Sequence, residues 1–249
     1  MNKVVIITGA SNGIGLSLAE TLAENGYIVF NLDIVYPNKI GGGIFIKCDI
    51  RDYKQIESAK REMEKIACDI NPDYKLISLV NNAGVNYLDW FDKISQLDFN
   101  RVIDTNVKGT FFTTQVFLPM LAKHKSSVIN VVSNAADKPM TCSSVYNASK
   151  GAVKILTREM ARELTPKFGI TVFGISPNKI LDTMMSEYVD EVVPDIRGWT
   201  KEHAQEYEIN GIPCRENTPL KVFTDHLAYL VMLEDDNKYM SGNIIEYGV

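Results

Sequence analysis

"KVVIITGASNGIGLSLAETLAENG" (3–26) decides how the rest of the chain is read. Val4–Ile7 is an unbroken β-branched run, the composition of a parallel strand buried on both faces. Glycines at 9, 13 and 15 follow at once, where the backbone must turn tightly and approach something closely. Residues 15–26 then carry helical spacing and stop at Gly26. A helix that starts straight after a glycine turn presents free N–H groups and the positive end of its dipole, which suits a pyrophosphate. Strand, turn and helix in this order are the context such a glycine motif requires.

The same alternation continues to the end of the chain. Strands are expected at 27–33, 43–49, 76–84, 127–133, 170–176 and 243–247. Helices are expected at 53–70, 98–122, 145–164 and 224–233. This predicts an α/β fold, a doubly wound parallel sheet with helices on both faces, in one domain over 1–249. The link 34–42 contains Pro37 and leads into three glycines (41–43), which leaves no room for an ordinary helix.

Composition narrows the function. The chain has 249 residues, 45% apolar and 23% charged, with net charge −5. The negative balance gives no electrostatic case for nucleic acid or an anionic membrane. No apolar run is long enough to span a bilayer, and the N-terminus does not read as a signal peptide. Four scattered cysteines without a C-x-x-C pattern read as reduced thiols of a cytoplasmic protein, and three scattered histidines predict no metal site.

Two further features carry chemistry. Asp33 ends the second expected strand, eighteen residues past Gly15. A carboxylate there accepts hydrogen bonds from both hydroxyls of an adenosine ribose and repels a 2′-phosphate. No Lys or Arg stands in "SNG" (11–13) or directly after Asp33, so NAD is expected over NADP. The second feature is "SVYNASKGA" (144–152), which sets Tyr146 and Lys150 one helical turn apart. A nearby ammonium favours a phenolate, so the pair is a way to build a general acid/base.

Taken together these motifs resemble the short-chain dehydrogenase/reductase family of the compact, Rossmann-like type. "TGASNGIG" (8–15), "CDI" (48–50), "NNAG" (81–84), "NVKGTF" (106–111), "VVS" (131–133) and "YNASK" (146–150) stand in that family's order and spacing. The resemblance implies a homo-oligomeric enzyme, a homotetramer or homodimer. It implies that Tyr146 is the general acid/base and that Lys150 lowers its pKa and holds the nicotinamide ribose. Ser133 hydrogen-bonds the substrate oxygen, and Asn106 holds a water in a proton relay. It implies cofactor contacts at Gly9, Ser11, Asn12, Gly13, Ile14, Gly15, Asp33, Asp49, Ile50, Asn82, Ala83, Gly84, Pro177, Ile180 and Thr183, besides Tyr146 and Lys150.

The chain departs from the family pattern after the sixth strand. In "SPNKILDT" (176–183) Asn178 replaces a glycine, and Thr183 sits a residue later than expected. Asn tolerates positive φ best among non-glycine residues, so the turn is expected to survive. Ligands of open α/β sheets bind beyond the carboxyl ends of the strands. That places substrate near Asn86, Ser133, Asn134, Met140 and Tyr146, under a lid over about 182–218 that has nine Asp/Glu against three Lys/Arg. The asparagines lean toward a hydroxylated substrate. The resulting expectation is an NAD-dependent oxidoreductase acting on a secondary alcohol, such as a sugar or polyol, or its ketone. The alternatives are an NADPH-type 3-oxoacyl reductase and a nicotinamide-binding regulatory protein without turnover.

Overall fold

Alternate residues of β1 (Lys3–Thr8) enter opposite cores in the computed structural model, which describes residues 2–37, 41 and 43–248. Val4 and Ile6 join one cluster with Phe30, Leu32, Ile46 and Val128. Val5 and Ile7 join the other with Val29, Ile129 and Phe173. A period of two with both sides buried makes a strand the middle layer of three.

The other strands are β2 (Ile28–Asp33), β3 (Ile44–Lys47), β4 (Lys75–Asn81), β5 (Ser127–Val131), β6 (Thr171–Pro177) and β7 (Ile244–Tyr247). They form one parallel sheet in the order β3-β2-β1-β4-β5-β6-β7. The chain winds outward from β1 to β3, returns to β4 beside β1, and winds the other way. That reversal opens a crevice above the carboxyl ends of β1 and β4.

Helices α1 (Gly13–Glu24) and α8 (Leu220–Met232) cover one face through Leu18, Leu22, Phe223 and Leu227. Helices α2 (Tyr53–Ile70), α4 (Thr110–His124) and α5 (Ser144–Phe168) cover the other through Ile56, Met63, Phe117, Leu121 and Met160. A buried polar ladder joins this layer to the sheet. Asn81 Nδ2 donates to Thr114 Oγ1 (3.0 Å) and Asn130 Oδ1 (2.8 Å), and Asn130 Nδ2 donates to Thr157 Oγ1 (2.8 Å). Each such bond is worth about 1 kcal/mol net, and more is lost if one partner is removed and the other stays buried. The ladder fixes how α4 and α5 sit above the sheet.

One expectation is corrected. The helix expected over 98–122 is α3 (Gln96–Ile103), then a π-helical turn (Asp104–Gly109), then α4. Thr110 Oγ1 donates to the Asn106 carbonyl at 2.8 Å, and a Cβ on Gly109 would come within 2.5 Å of Ile50 Cδ1. The wider turn thus rests on the end of the β3 segment, and Asn106 sits inside it. Segment 182–218 contains α6 (Met184–Arg197) and α7 (Lys201–Asn210). Thr183 and Ser186 form a capping box at the start of α6, and Thr200 caps α7. In the link 34–42, residues 38–40 and 42 lie outside the described residues; Ile34–Pro37 is non-helical. Among the described residues, no helix is long and apolar enough to cross a membrane.

Candidate active site

The glycine turn, the end of β4 and the start of α6 meet in the crevice. A Cβ on Gly9 (φ +70°) would stand 2.8 Å from Ala83 Cα, and one on Gly15 would stand 2.2 Å from the Gly9 carbonyl. The two positions admit only glycine. Asn82 locks the arrangement: its Nδ2 donates to the Thr8 and Gly9 carbonyls at 3.0 Å each, and Thr8 Oγ1 accepts the Asn82 and Ala83 N–H groups at 3.1 Å. Gly13 (φ +50°) faces Thr183 Cγ2, 3.5 Å from where its Cβ would be. The Asn12 side chain does not cap α1, so its first-turn N–H groups are left without a side-chain partner.

Asp33 is built into the same turn. One carboxylate oxygen accepts the Ser11 N–H at 3.0 Å; the other accepts those of Ile34 (2.7 Å) and Val35 (3.3 Å). Asp49 is chelated by Arg51, whose Nε and Nη2 reach its oxygens at 2.9, 3.1 and 2.7 Å. Arg51 holds the Asp49 carboxyl below its ordinary range. These residues fit an adenosine pyrophosphate: a close-approaching glycine backbone at a helix N-terminus and a fixed carboxylate at the end of the neighbouring strand.

The other half of the site hangs on α5. Tyr146 and Lys150 are both buried, and Lys150 Nζ stands 5.7 Å from the Tyr146 ring centre while donating to the Val131 carbonyl at 2.9 Å. Burial pushes Lys150 down to about 8. Burial also pushes Tyr146 up to about 12, with the Ser133 hydroxyl opposing. Desolvation dominates the Tyr146 shift, and the Lys150 ammonium is turned toward the Val131 carbonyl. Ser133 Oγ also accepts the Ala135 N–H (3.2 Å) and donates to Asn134 Oδ1 (3.3 Å).

Asn106 is saturated. Its Oδ1 accepts the Val85 N–H (2.8 Å), and its Nδ2 donates to the Val85 carbonyl (2.9 Å) and Ser149 Oγ (2.9 Å). Ser149 in turn donates to the Tyr146 carbonyl at 2.7 Å. Gly84 lies over this junction, its notional Cβ 3.4 Å from Asn106 Oδ1 and 3.5 Å from Lys150 Nζ. The turn after β6 is also corrected. Asn178 does not adopt positive φ; Asp182 (φ 57°) is the left-handed residue of the segment. Asn178 works through its side chain, accepting the Thr218 hydroxyl at 2.6 Å, while its backbone N–H donates to Tyr247. Ile180 pairs with Thr218 in an isolated bridge, and Pro177 ends β6.

The structure thus brings Asn106, Ser133, Tyr146, Lys150 and Gly84 together and gathers the turn, Asp33, Asn82, Ala83 and Thr183 beside them. Asn86 and Met140 lie in loops after β4 and β5, with Met140 39% exposed, and Asn134 opens a short 3-10 turn (Asn134–Ala136). Sequence reading missed Ser149, Arg51, Gly109 and Met185. Ser149 and Gly109 stand inside motifs already singled out, and Arg51 stands two residues from Asp49. Nothing in the sequence marks Met185.

Residues 3–193 match the family model described as short chain dehydrogenase. The chain belongs to the short-chain dehydrogenase family. Like the relatives below, this short-chain dehydrogenase is an oxidoreductase of the class acting on CH–OH groups, and its family uses nicotinamide cofactors. It is 29% identical to sorbitol-6-phosphate 2-dehydrogenase of Klebsiella pneumoniae, over 92% of this chain and 89% of that protein. It is 32% identical to a 3-oxoacyl-acyl-carrier-protein reductase of Staphylococcus epidermidis, over 98% and 97%. Its fold matches ligand-free aldohexose dehydrogenase of Thermoplasma acidophilum with a TM-score of 0.85 at 25% identity, over 99% of this chain and 93% of that one.

Proposed function

We propose that this dehydrogenase is NAD-dependent and interconverts a secondary alcohol of the sugar or polyol class with its ketone. The observation that carries the reading is the cluster of buried Tyr146 and Lys150 with half-buried Ser133 beyond the carboxyl end of β5, beside a glycine turn against which Asp33, at the end of β2, is fixed by three backbone N–H groups. When bound, the nicotinamide supplies or accepts the hydride. Gly9, Ser11, Asn12, Gly13, Ile14 and Gly15 would hold the pyrophosphate; Asp33, Asp49 and Ile50 the adenosine; and Asn82, Ala83, Gly84, Pro177, Ile180, Thr183 and Lys150 the nicotinamide half.

Tyr146 gives its proton to the ketone oxygen in reduction and takes the alcohol proton in oxidation. At neutral pH the Tyr146 phenol is protonated, the state from which ketone reduction starts. Ser133 donates a hydrogen bond to the same oxygen as charge develops there. Asn106 and Ser149 hold the backbone of Tyr146 in place. Asn86 Oδ1 is buried without a partner, and it favours a substrate that brings hydroxyl donors. Asp33 would meet a 2′-phosphate with like charge, which favours NAD over NADP.

A second reading, an NADPH-dependent 3-oxoacyl reductase, is favoured by the 32% identity to the Staphylococcus enzyme over nearly the whole chain. We further propose one domain with residues 182–218 as its lid, and a homo-oligomer assembled through α3, α4 and α5, which expose Phe99, Phe111 and Ile155. The test is cofactor turnover by absorbance with sugars and polyols, using NAD⁺ and NADP⁺, and with acetoacetyl thioester and NADPH. Polyol oxidation preferring NAD⁺ by tenfold or more is expected. Thioester reduction with NADPH alone would overturn it in favour of the second reading.

A further inference from the structure

The Tyr146 hydroxyl faces a lid side chain. Met185, the second residue of α6, places its sulfur 3.7 Å from Tyr146 Oη. On the reading above, a ketone oxygen must sit within hydrogen-bond reach of Tyr146 Oη and Ser133 Oγ, and that is about 2.6–3.2 Å. A thioether at this distance flanks the place where the oxygen goes.

The helix that carries Met185 is held along its length. At its start, Thr183 Oγ1 accepts the Ser186 N–H (3.0 Å), Ser186 Oγ accepts the Thr183 N–H (3.1 Å), and Thr183 Cγ2 rests on Gly13 of the glycine turn. In its middle, Tyr188 Oη accepts the Leu88 N–H at 3.2 Å. At its end, Trp90 Nε1 donates to the Ile196 carbonyl (3.2 Å), and Arg197 donates to the Thr141 carbonyl. Lys179, nearly buried, bridges Asp190 of α6 and Glu208 of α7. These bonds tie α6 to the loops after β4, β5 and β6 together. Rotating the unbranched Met185 side chain frees the Tyr146 hydroxyl without breaking any of them, and methionine has the three soft torsions for it.

We propose that Met185 is the specificity-determining residue of this site: its thioether is a movable stopper against the Tyr146 hydroxyl that turns aside for the carbonyl oxygen and then limits the size of the group beside the reacting carbon. The proposal rests on the oxidoreductase reading above. Met184, its neighbour, is 67% exposed and has no part in it.

The experiment compares wild type, Met185→Ala, Met185→Leu and Met185→Phe in NADH-dependent reduction of hydroxyacetone and of the bulkier benzoin. Kd for NADH is measured on each protein. A methylene or two in such a pocket changes discrimination by about tenfold or more. Met185→Ala should raise the benzoin-to-hydroxyacetone ratio of kcat/KM about tenfold, and Met185→Phe should lower it by a similar factor. Met185→Leu should restore the wild-type ratio, and Kd for NADH should stay within twofold throughout, about the scatter of such measurements. An unchanged ratio with active proteins would overturn this inference and leave the oxidoreductase reading standing. No reduction of either ketone by any of the four proteins would overturn both.

Discussion

Replacing Lys150 with methionine should stabilise the fold while removing its activity. The buried ammonium is pushed down from an ordinary 10.5 to about 8 by desolvation. Each unit corresponds to about 1.4 kcal/mol. At pH 7 Lys150 is charged in both states, so the folded protein bears a cost of about 3 kcal/mol. The sign with pH follows. Between about 8 and 10.5 the unfolded chain binds the proton that the folded chain has lost, so wild-type stability rises with pH there. By pH 10 the cost has shrunk to about 1 kcal/mol. Methionine forfeits the hydrogen bond to the Val131 carbonyl, worth about 1–2 kcal/mol. Net, Lys150→Met should be more stable by about 1–2 kcal/mol at pH 7, or about 2–8 °C in Tm for a chain of this length. The gap should close toward pH 10. Thermal unfolding followed by circular dichroism from pH 6.5 to 10 measures it, since the two proteins differ in one titrating group. A variant less stable than wild type at pH 7, or a difference independent of pH, would show that Lys150 carries no desolvation cost.

Gly15→Ala should destabilise the protein by about 2–3 kcal/mol and raise Kd for NADH more than tenfold, because the new methyl collides with the Gly9 carbonyl and Asn82. Urea unfolding and fluorescence titration check the two effects separately. Asn178→Ala should cost about 1–2 kcal/mol, since it strands the buried Thr218 hydroxyl, and it should speed proteolytic cleavage in 199–217, the part of the lid that this bond anchors.

Local patterns carried most of what the sequence disclosed. The run Val4–Ile7, the glycines at 9, 13 and 15, and the stop at Gly26 are read from adjacent residues, and β1, the turn and α1 lie where that reading puts them. Tyr146 and Lys150 are one turn apart on α5 for the same reason. What stayed hidden depends on contacts distant in sequence. The π turn at 104–109 rests on Ile50 pressing Gly109. The glycine-to-asparagine change at 178 reads as a backbone accommodation until Thr218, forty residues on, is seen to hold its side chain. The direction in which Tyr146 shifts depends on burial that no spacing rule reports.

The central claim is that Tyr146 moves the proton in a reaction whose hydride belongs to NAD. Tyr146→Phe tests it most directly, with steady-state turnover on the best polyol and NADH binding measured on the same preparation. The account predicts turnover lowered by about a thousandfold or more, with Kd for NADH changed less than threefold, since the phenol is one cofactor contact among many but the acid/base of the reaction. Turnover retained within tenfold of wild type would contradict it and place the acid/base elsewhere in the crevice.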